Sequence, residues 1–435
     1  MSLLRIDQIF NFEKGVLQSS KCVPGEYDFI TASSDWKTHN EYTHDCEALI
    51  FAAAASGSLG RTHYVNGKFI SSDLCFIITP KDQVNLPVDL KFYHILFNEL
   101  KDEIVRNTKA GTSKEAIGLG SFGKYKLPYF DIDTQIEIKN RFVNAEDLKL
   151  NLSNELNHQV DLVKKLRQQL LQDAVQGKLV EQNPKDEPAS ELLKKIKAEK
   201  EKLIAEKKLK KEKELPPIKP EEIPFEIPEN WKWCRLGEIC TKITDGFHNT
   251  PPKVSEGIPY IAATQVKSDK IDWDNCNYVD EKYHRELYIK AYPQKGELLV
   301  VNIGAGCGTP ALIDVDFEFS FKNTAILKFN QNLISNKLLF YYFLLRKDEI
   351  YAELTKGGLQ PFLSLKILNE IDFPLPPIAE QNRIVQKIDE LMQYCNDLEA
   401  SIKQSESQNE KLLQQVLREA LQPASPIAGK EPVTN

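Results

Sequence analysis

The sequence predicts an α+β fold of two α/β globules joined by two long helices that form an antiparallel coiled coil. Two observations support this prediction. The two halves of the chain match each other at a nearly constant offset, and each half ends in a long stretch of heptad-spaced apolar residues without Pro or Gly. This match is an internal repeat. Antiparallel pairing of the two helices would relate the repeated globules by a pseudo-two-fold axis.

Length and composition favour a globular protein of several domains. The 435 residues give a prior of about three domains, and a hydrophobic content of 41% is enough for sizeable cores, which excludes a disordered chain. The longest apolar run, 48–55, is too short to cross a bilayer, and the chain does not begin with a secretory-signal pattern. We therefore expect a cytoplasmic protein.

Charge and cysteine content exclude few functions. The net charge of −7, from 56 basic and 63 acidic residues, argues only weakly against nucleic-acid binding, because local patches contact phosphates. The eight cysteines form no C-x-x-C pair, so we expect reduced, mostly buried thiols and neither a zinc site nor a disulfide scaffold.

The repeat is clearest over the second half of each copy. An offset of 246 positions aligns 101–174 with 347–420 without a gap; both segments begin Lys-Asp-Glu-Ile, and Gln135 then matches Gln381. Towards the start of each copy the offset drifts, as loop insertions in a shared scaffold would cause. A period this long indicates a duplicated domain and excludes a solenoid array.

Each copy is predicted to end in a helix of about 65 Å, at 131–180 and 377–422. Apolar residues recur there at steps of four and three over about four heptads, which is typical of a coiled-coil seam. The candidate pairing residues are Leu152, Leu156, Val163, Leu166, Leu170, Leu398, Ile402, Asn409, Leu412 and Val416. Polar residues in the seam would fix its register at some cost in stability. The alternative is that each helix packs on its own globule.

Composition predicts the remaining boundaries. We expect a first globule at 1–130, a linker at 181–228, a second globule at 229–376 and a disordered tail at 423–435. Within the linker, 191–214 contains ten Lys and six Glu, which is typical of a solvated, partly helical connector. A role in contacting DNA or a partner protein is the alternative.

No catalytic motif is recognisable in the sequence. Phosphate-loop and zinc-protease patterns are absent, and the glycine-rich segment 304–308 has the wrong spacing for a dinucleotide fingerprint, so we expect a tight turn there. Asp89, Glu99 and Lys101 could belong to a nuclease site. The second copy has no matching Glu-x-Lys, however, so surface charge is the favoured interpretation.

Several predicted loops carry side chains that contact nucleic acids. Arg, Lys, Asn and Gln read base edges, whereas Ser and Thr hydroxyls hold phosphates. The candidates in the first copy are Arg61, Thr62, His63, Tyr64, Lys109, Ser113, Lys114, Lys124 and Lys126. Those in the second copy are Lys242, Thr244, His248, Asn249, Thr250, Lys253, Gln265, Lys267, Lys356 and Gln360. Ordinary surface roles are the alternative for each of them. Loops that differ between the copies suggest two different targets.

Three segments give the chain a resemblance to a known family. Gln168-Gln-Leu-Leu-Gln-Asp-Ala-Val-Gln-Gly-Lys-Leu179 resembles the end of the first conserved helix in specificity subunits of type I restriction–modification enzymes. Ile227-Pro-Glu-Asn-Trp-Lys-Trp-Cys-Arg-Leu-Gly-Glu-Ile239 resembles the start of one of their target-recognition domains, and Pro374-Leu-Pro-Pro-Ile-Ala-Glu-Gln381 is similar to a further motif. The resemblance extends over both copies, although the first lacks the Ile-Pro-Glu-Asn-Trp start.

The resemblance implies a DNA-recognition subunit without catalytic activity of its own. Each globule would read one half of a split, asymmetric site, and the paired helices would set the gap between the halves. The implied partners are double-stranded DNA, two methylation subunits that modify adenine N6, and restriction subunits in complexes that also cleave. The implied cofactors, S-adenosylmethionine, ATP and Mg, would bind to those partner subunits.

Other functions remain open at the level of the sequence. A coiled-coil scaffold with two globules that bind ligands other than DNA would show no salt-dependent DNA affinity. A nuclease with an unfamiliar site would cleave DNA with magnesium as the isolated chain. A subunit that serves methylation alone would have the same sequence pattern as one that also serves restriction.

Overall fold

A computed structural model describes residues 1–54, 57–110, 115–211, 213–247, 250–268, 270–357 and 361–421. The chain divides into two compact units, one formed by Met1–Asn157 with the segment from Lys403 onward, the other by His158–Ile402. Each unit contains one globule and a part of both long helices. Among the described residues, no helix is both long enough and apolar enough to span a membrane.

The first copy begins with a mixed sheet and ends in a long helix. Its strands are β1 (Ser2–Arg5), β2 (Phe10–Lys14), β3 (Tyr27–Ile30), β4 (Lys37–His39), β5 (His44–Ala52), β6 (Thr62–Ser71), β7 (Cys75–Pro80), β8 (Lys109–Ala110), β9 (Ala116–Ile117) and β10 (Lys126–Tyr129). Its helices are α1 (Ile6–Ile9), α2 (Leu90–Glu99), α3 (Lys101–Thr108), α4 (Leu119–Lys124) and α5 (Ile132–Val175).

The second copy follows the linker helix α6 (Ala189–Ala205). Its strands are β11 (Lys232–Arg235), β12 (Lys242–Asp245), β13 (Ile258–Ile261), β14 (Asn277–Val279), β15 (Leu298–Val301), β16 (Pro310–Leu312), β17 (Ser320–Phe321), β18 (Thr324–Lys328) and β19 (Asp372–Leu375). Its helices are α7 (Leu236–Ile239), α8 (Glu281–Ala291), α9 (Asn336–Glu349), α10 (Leu365–Glu370) and α11 (Ile378–Leu421), with one π-helical turn at Ile350–Leu354.

The structure confirms the internal repeat. In both copies the opening strand pairs antiparallel with the strand that leads into the long helix, β1 with β10 and β11 with β19. The short helix that follows is capped in the same way, because a side chain accepts the N–H of Arg5 in the first copy (Gln8) and of Arg235 in the second (Glu238). Each globule thus begins beside the start of its own long helix.

The two central sheets share one topology but differ in continuity. The first copy has a single six-stranded sheet, β2-β7-β5-β6-β3-β4, whereas the second has a four-stranded sheet, β12-β18-β15-β16, and a three-stranded one, β14-β13-β17. The long strand β6 pairs antiparallel with β5 and parallel with β3. In the second copy, β16 pairs antiparallel with β15, and β17 pairs parallel with β13. One strand of the first copy therefore corresponds to two in the second.

In each copy, the backbone of a glycine that follows the first strand of the central sheet, β2 or β12, lies close to another backbone segment. A Cβ atom on Gly15 would lie 2.1 Å from the Ser72 carbonyl oxygen, and one on Gly246 would lie 2.1 Å from that of Phe321. Real Cβ atoms do not approach so closely, so both positions require glycine.

Two stretches of the first copy are divided by short breaks. A turn in which the Cys75 N–H donates to the Ser72 carbonyl (2.9 Å) separates β6 from β7. The stretch from Asp89 to Arg106 forms two helices, α2 and α3. These meet at Leu100, whose φ of −87° and ψ of 6° leave the α-helical region.

The linker differs from the solvated connector that its charge predicts. One face of α6 is buried in the core of the second globule, through Ala189, Leu192, Leu193 and Ile196. These residues follow the i, i+3, i+4, i+7 spacing of an amphipathic helix, and Lys194, Lys195, Lys197 and Lys202 are exposed. The small number of apolar residues was misleading, because their spacing places all of them on one stripe.

Candidate nucleic-acid interface and helix pair

The two copies bring together the same pair of loops. In the first copy, the Ile117 N–H donates to the Ala53 carbonyl (2.8 Å), which places the loop after β5 beside the loop after α3. In the second copy, the Leu363 N–H donates to the Asn302 carbonyl (2.8 Å), joining the loop after β15 to the loop after α9. We call these segments, 53–61 with 109–117 and 302–308 with 355–363, the paired loops.

The paired loops contain candidates from both copies. They include Arg61 and Lys109 in the first copy and Lys356 in the second. Ser113, Lys114 and Gln360 also fall within these ranges but lie outside the described residues. The glycine-rich segment 304–308, expected as a tight turn, is part of the second pair, and its Gly304 N–H donates to the Pro361 carbonyl (2.8 Å).

Arg61 and Thr62 stabilise the first copy's own structure. The Arg61 guanidinium donates to the Ala32 carbonyl (3.3 Å) and the Ser58 hydroxyl (3.4 Å), which ties its loop to the sheet. Thr62 is buried, and its N–H donates to the Asn98 side-chain oxygen (3.0 Å). Thr62 is therefore not available to a ligand in this conformation.

His63 and Tyr64 line a cavity of about 430 Å³ on the first globule. Trp36 packs edge-on against His63 (5.8 Å between ring centroids), and the Lys91 ammonium lies 5.4 Å from the centre of the Tyr64 ring. Burial lowers the pKa of His63, so its imidazole is neutral at pH 7. Burial and a hydrogen bond to Glu47 raise the pKa of Tyr64 to about 12, which leaves the phenol protonated.

The other described candidates of the first copy are solvent-facing lysines. Lys124 and Lys126 are exposed, and Lys109 forms a surface ion pair with Glu115 (2.6 Å). Exposed pairs of this kind contribute little stability, so such lysines can exchange a carboxylate for a phosphate at low cost.

Three second-copy candidates are engaged within the protein. The Lys242 ammonium donates to the Lys290 carbonyl (2.5 Å) at the end of α8, and burial together with Lys328 and Lys290 lowers its pKa. Thr244 is buried in β12. The Gln265 amide closes its own turn, accepting from the Ala262 N–H (3.0 Å) and donating to the Asn275 carbonyl (3.2 Å). These contacts favour structural roles for the three residues.

The remaining second-copy candidates face solvent or lie outside the described residues. Thr250, Lys253, Lys267 and Lys356 are exposed. His248 and Asn249 lie outside the described residues. The Lys322 ammonium donates to the Thr250 hydroxyl, which places a further cation in this loop.

Sequence reasoning missed four residues at these surfaces: Trp36, Lys91 and His94 in the first copy and Lys322 in the second. The first three lie 27 or more positions away from Tyr64 in the chain and reach the cavity only because β6, α2 and the loop before β4 pack together. Lys322 follows β17, a strand for which the sequence has no period-two signal. These four residues could have been found from the sequence only if the order of the strands in the sheets had been known.

The long helices α5 and α11 pack against each other. Within the second unit, the Arg167 guanidinium donates to the side-chain oxygens of Asn396 (2.7 Å) and Glu399 (3.0 Å). Beyond the carboxyl end of α5, Gln182 donates to Glu380 on α11 (2.5 Å), so residue numbers fall along α11 as they rise along α5. The pairing is therefore antiparallel. Within the first unit, Asn409 donates to the Lys149 carbonyl (3.1 Å) and the Ser153 hydroxyl (3.0 Å).

Burial along the pair follows one residue per heptad. The buried positions that recur at heptad spacing are Phe142, Leu156, Val163 and Leu170 on α5, and Ile388, Cys395, Ile402 and Asn409 on α11. Val416 is half-buried, whereas Leu152, Leu166, Leu398 and Leu412 are 42%, 44%, 50% and 39% exposed and lie outside the buried stripe. On α5 the half-buried flank includes residues 153 and 167, one position after the predicted Leu152 and Leu166. The second row of seam residues can lie on either side of the buried row of a heptad pattern. The leucines indicated one side, and the helices pack on the other.

The carboxylates considered for a nuclease have structural contacts. Asp89 caps α2 by accepting the Phe92 N–H (3.0 Å) and pairs with Lys139 (2.5 Å). Across the described part of the chain, no group of three or more His, Cys, Asp or Glu side chains could hold a metal ion.

A family model described as "Type I restriction modification DNA specificity domain" matches residues 2–162 and 228–405, one match on each copy. Among curated proteins, the type I restriction enzyme EcoAI specificity subunit of Escherichia coli is 35% identical over 248 residues, covering 55% of this chain and 41% of the relative. The EcoEI specificity subunit of the same organism is 33% identical over 269 residues, covering 59% of this chain and 44% of the relative. These alignments span less than half the length of the two relatives.

Solved structures with the same fold extend over nearly the whole chain. The HsdS subunit from Thermoanaerobacter tengcongensis aligns with a TM-score of 0.55 at 15% identity, covering 96% of both chains. A chain from a structure titled as the basis of complex assembly and conformational transition of the type I R-M system also gives 0.55, at 17% identity, covering 96% of this chain and 97% of that one. The fold, the repeat and the separate match on each copy agree, and the chain belongs to the type I restriction–modification DNA specificity family.

Proposed function

We propose that this chain is the DNA sequence-recognition subunit of a type I restriction–modification complex. Each globule reads one half of a bipartite, asymmetric site, and the helix pair sets the length of the gap. The observation that carries this proposal is that one specificity-domain match falls on each copy while the paired loops and sheets of the two copies differ. Different reading surfaces on one scaffold require different half-sites.

The charges around the paired loops support contact with DNA in both copies. Lys109 and Arg61 lie on this surface in the first copy, and Lys356 lies there in the second. Lysines that are exposed or in surface ion pairs can neutralise phosphates, whereas base reading needs donors held on a rigid support, as Arg61 is held on its sheet. We assign the paired loops as the primary contact surface, and the exposed candidates outside them as secondary contacts.

The exposed leucines of the long helices support docking of partner subunits. Leu152, Leu166, Leu398 and Leu412 lie outside the stripe that the two helices bury against each other. Large apolar side chains that stay exposed within each unit indicate interaction surfaces there. Two methylation subunits, one for each repeat, would dock on these surfaces, and restriction subunits join where the complex also cleaves.

Chemistry in such a complex belongs to the partners. S-adenosylmethionine is bound by the methylation subunits, ATP and Mg by the partner subunits, and this chain is a non-catalytic specificity subunit. Its location is the cytoplasm, where its DNA target lies.

Single-molecule methylome sequencing of host DNA, with and without the gene, tests the proposal. We expect a split motif with adenine methylation on both strands that disappears on deletion. An unchanged methylome, together with no salt-dependent binding of the purified chain to DNA, would favour the scaffold with two globules that bind other ligands.

A further inference from the structure

Two buried glutamines occupy matching positions at the start of the long helices. Gln135 lies in the first turn of α5 and Gln381 in the first turn of α11, and both are 0% exposed. They are 246 positions apart, the offset of the repeat. A buried primary amide is costly unless both its donors and its acceptor are used, so its partners show what it holds.

In the first copy, Gln135 joins the globule to the helix. Its side-chain oxygen accepts the N–H of Asp89 (2.8 Å), the residue that caps α2. Its amide nitrogen donates to the carbonyls of Phe130 (2.8 Å) and Pro87 (3.0 Å). The first of these carbonyls belongs to the chain that enters α5. One side chain thus fixes the start of α2, the end of the opening sheet and the start of the long helix.

In the second copy, Gln381 makes the equivalent of two of these three contacts. Its side-chain oxygen accepts the N–H of Ser335 (2.8 Å), the residue that caps α9, and its amide nitrogen donates to the Pro376 carbonyl (3.1 Å). Ser335 and Pro376 are each 246 positions after their counterparts, Asp89 and Phe130. The capping residues differ in type, yet the backbone N–H that the glutamine accepts is the same.

A second contact beside each glutamine has opposite polarity in the two copies. In the first, the acid is on the globule and the base on the long helix, as Asp89 pairs with Lys139 (2.5 Å). In the second, Lys337 and the Tyr341 hydroxyl on α9 both contact Asp389 on α11, the hydroxyl at 2.6 Å. The glutamine contact is therefore common to both copies, while the ion pair beside it is specific to each.

From this geometry we infer that Gln135 and Gln381 are positioning residues that fix the angle between each recognition globule and its long helix. This inference rests on the proposed function. A globule of about 150 residues has a radius of about 20 Å, so its far surface lies about 40 Å from the joint and a tilt of about 5° moves that surface by about 3.5 Å. That is roughly the rise of one base pair. The angle at the joint thus determines, with a precision of about one base pair, which gap between the half-sites the protein accepts.

The test measures gap discrimination in cells that carry the complete system. A plasmid library presents the two half-sites at the normal gap and at gaps one or two base pairs shorter or longer. Gln381→Met keeps the size and apolar stem but removes the amide. We expect the methylated fraction at off-length gaps, relative to the normal gap, to rise about tenfold, with both half-site sequences unchanged.

The matched control is Gln393→Met, the same substitution at an exposed position on the same helix, where the amide donates to the Asp397 carboxylate (2.9 Å). It should leave the ratio unchanged. A role in stability alone would lower methylation at every gap together, so an unchanged ratio in Gln381→Met would overturn the inference. Absence of split-site methylation with the wild-type chain would instead contradict the proposed function.

A milder variant keeps the test informative if Gln381→Met accumulates poorly. Lys337→Met with Tyr341→Phe removes the contacts to Asp389 and leaves the buried glutamine in place. It should relax gap discrimination in the same direction by about threefold, and an unchanged ratio here would also count against a joint that sets the gap.

Discussion

The two copies agree at the joint between globule and long helix and differ in the sheet and loops above it. The opening strand, the capped short helix and the buried glutamine recur with the same partners. In contrast, the six-stranded sheet of the first copy corresponds to two separate sheets in the second. The comparison indicates that the requirement shared by both copies is the orientation of the globule on its helix, whereas the surface it presents is free to vary.

The largest effect is expected from changing the length of the helix pair. Seven residues inserted in both helices, between Asn157 and His158 and between Ile402 and Lys403, should lengthen the gap by about 10 Å, or about three base pairs. Both half-sites should stay the same, because neither globule is altered. Methylome sequencing gives the new motif directly.

A control for the heptad insertion is available in the linker. Seven Gly and Ser residues between Lys213 and Glu214, both exposed, add the same length outside the helices and should leave the gap unchanged. An unaltered gap after the double helix insertion would contradict the ruler role of the helix pair.

Removing the Arg346 guanidinium should destabilise the second globule alone. Arg346 donates to Tyr342 and to both oxygens of Asp372 (3.2 Å each), with its side chain 13% exposed. The first copy has Leu100 and Lys126 at the equivalent positions. Because Arg346→Met leaves a nearly buried carboxylate unpaired, we expect a loss of about 3 kcal/mol in the free energy of unfolding.

Hydrogen-exchange mass spectrometry resolves the Arg346→Met effect by copy. Exchange should accelerate in peptides of 336–375 and remain unchanged in peptides of 90–129. The control, Arg285→Met, removes a surface pair with Glu281 and should change stability by less than about 0.5 kcal/mol. Equal acceleration in both copies would mean that the globules do not unfold separately.

A smaller effect is expected from the buried polar residue of the helix pair. Asn409 is 4% exposed, and its side-chain oxygen has no hydrogen-bond partner among the described residues. Asn409→Leu should therefore raise the melting temperature of the first unit by about 2–4 °C while weakening the preference for one register. Thermal unfolding measures the first change and the gap library the second. Gln408→Leu, at the exposed neighbouring position, is the control and should change neither.

The smallest effect concerns pH, at a position that differs between the copies. Glu380 is 0% exposed, and burial raises its pKa, whereas its counterpart 246 positions earlier is the uncharged Thr134. A carboxyl whose folded pKa lies above the unfolded value of about 4.3 contributes stability below that value and loses it as pH rises through the folded pKa. Glu380→Gln should thus gain in melting temperature relative to wild type between pH 4 and pH 7.

The surface variant Glu390→Gln, paired with Lys387 on the same helix, is the control for the pH series. Its melting temperature relative to wild type should not rise with pH. If the melting temperature of Glu380→Gln relative to wild type falls from pH 4 to pH 7, the pKa of Glu380 is not raised.

The sequence was informative where a pattern is repeated and local. The offset of 246 located both long helices, because an ungapped match requires the same structure in both copies. The same offset also aligned Gln135 with Gln381. The backbone N–H groups that they accept, 46 positions earlier in each copy, could not be predicted, since these contacts depend on how α2 and α9 pack against the long helices.

Elements that depend on tertiary packing were harder to predict. The seam of the helix pair was shifted by one residue on its flank, because leucines at 152 and 166 fit the heptad as well as residues 153 and 167 do. The charge of the linker concealed an amphipathic helix. The structure joins the loops 53–61 and 109–117 through the Ile117 N–H and the Ala53 carbonyl, but a sequence has no signal for which loops meet.

The most direct test of independent reading by two copies is an exchange of one globule. Residues 1–128 are replaced by the corresponding globule of another specificity subunit, with α5 and α11 left intact, and the methylome is sequenced. We expect a motif in which one half-site is new, while the other half-site and the gap are unchanged. A motif in which both half-sites change together would contradict independent reading by the two globules.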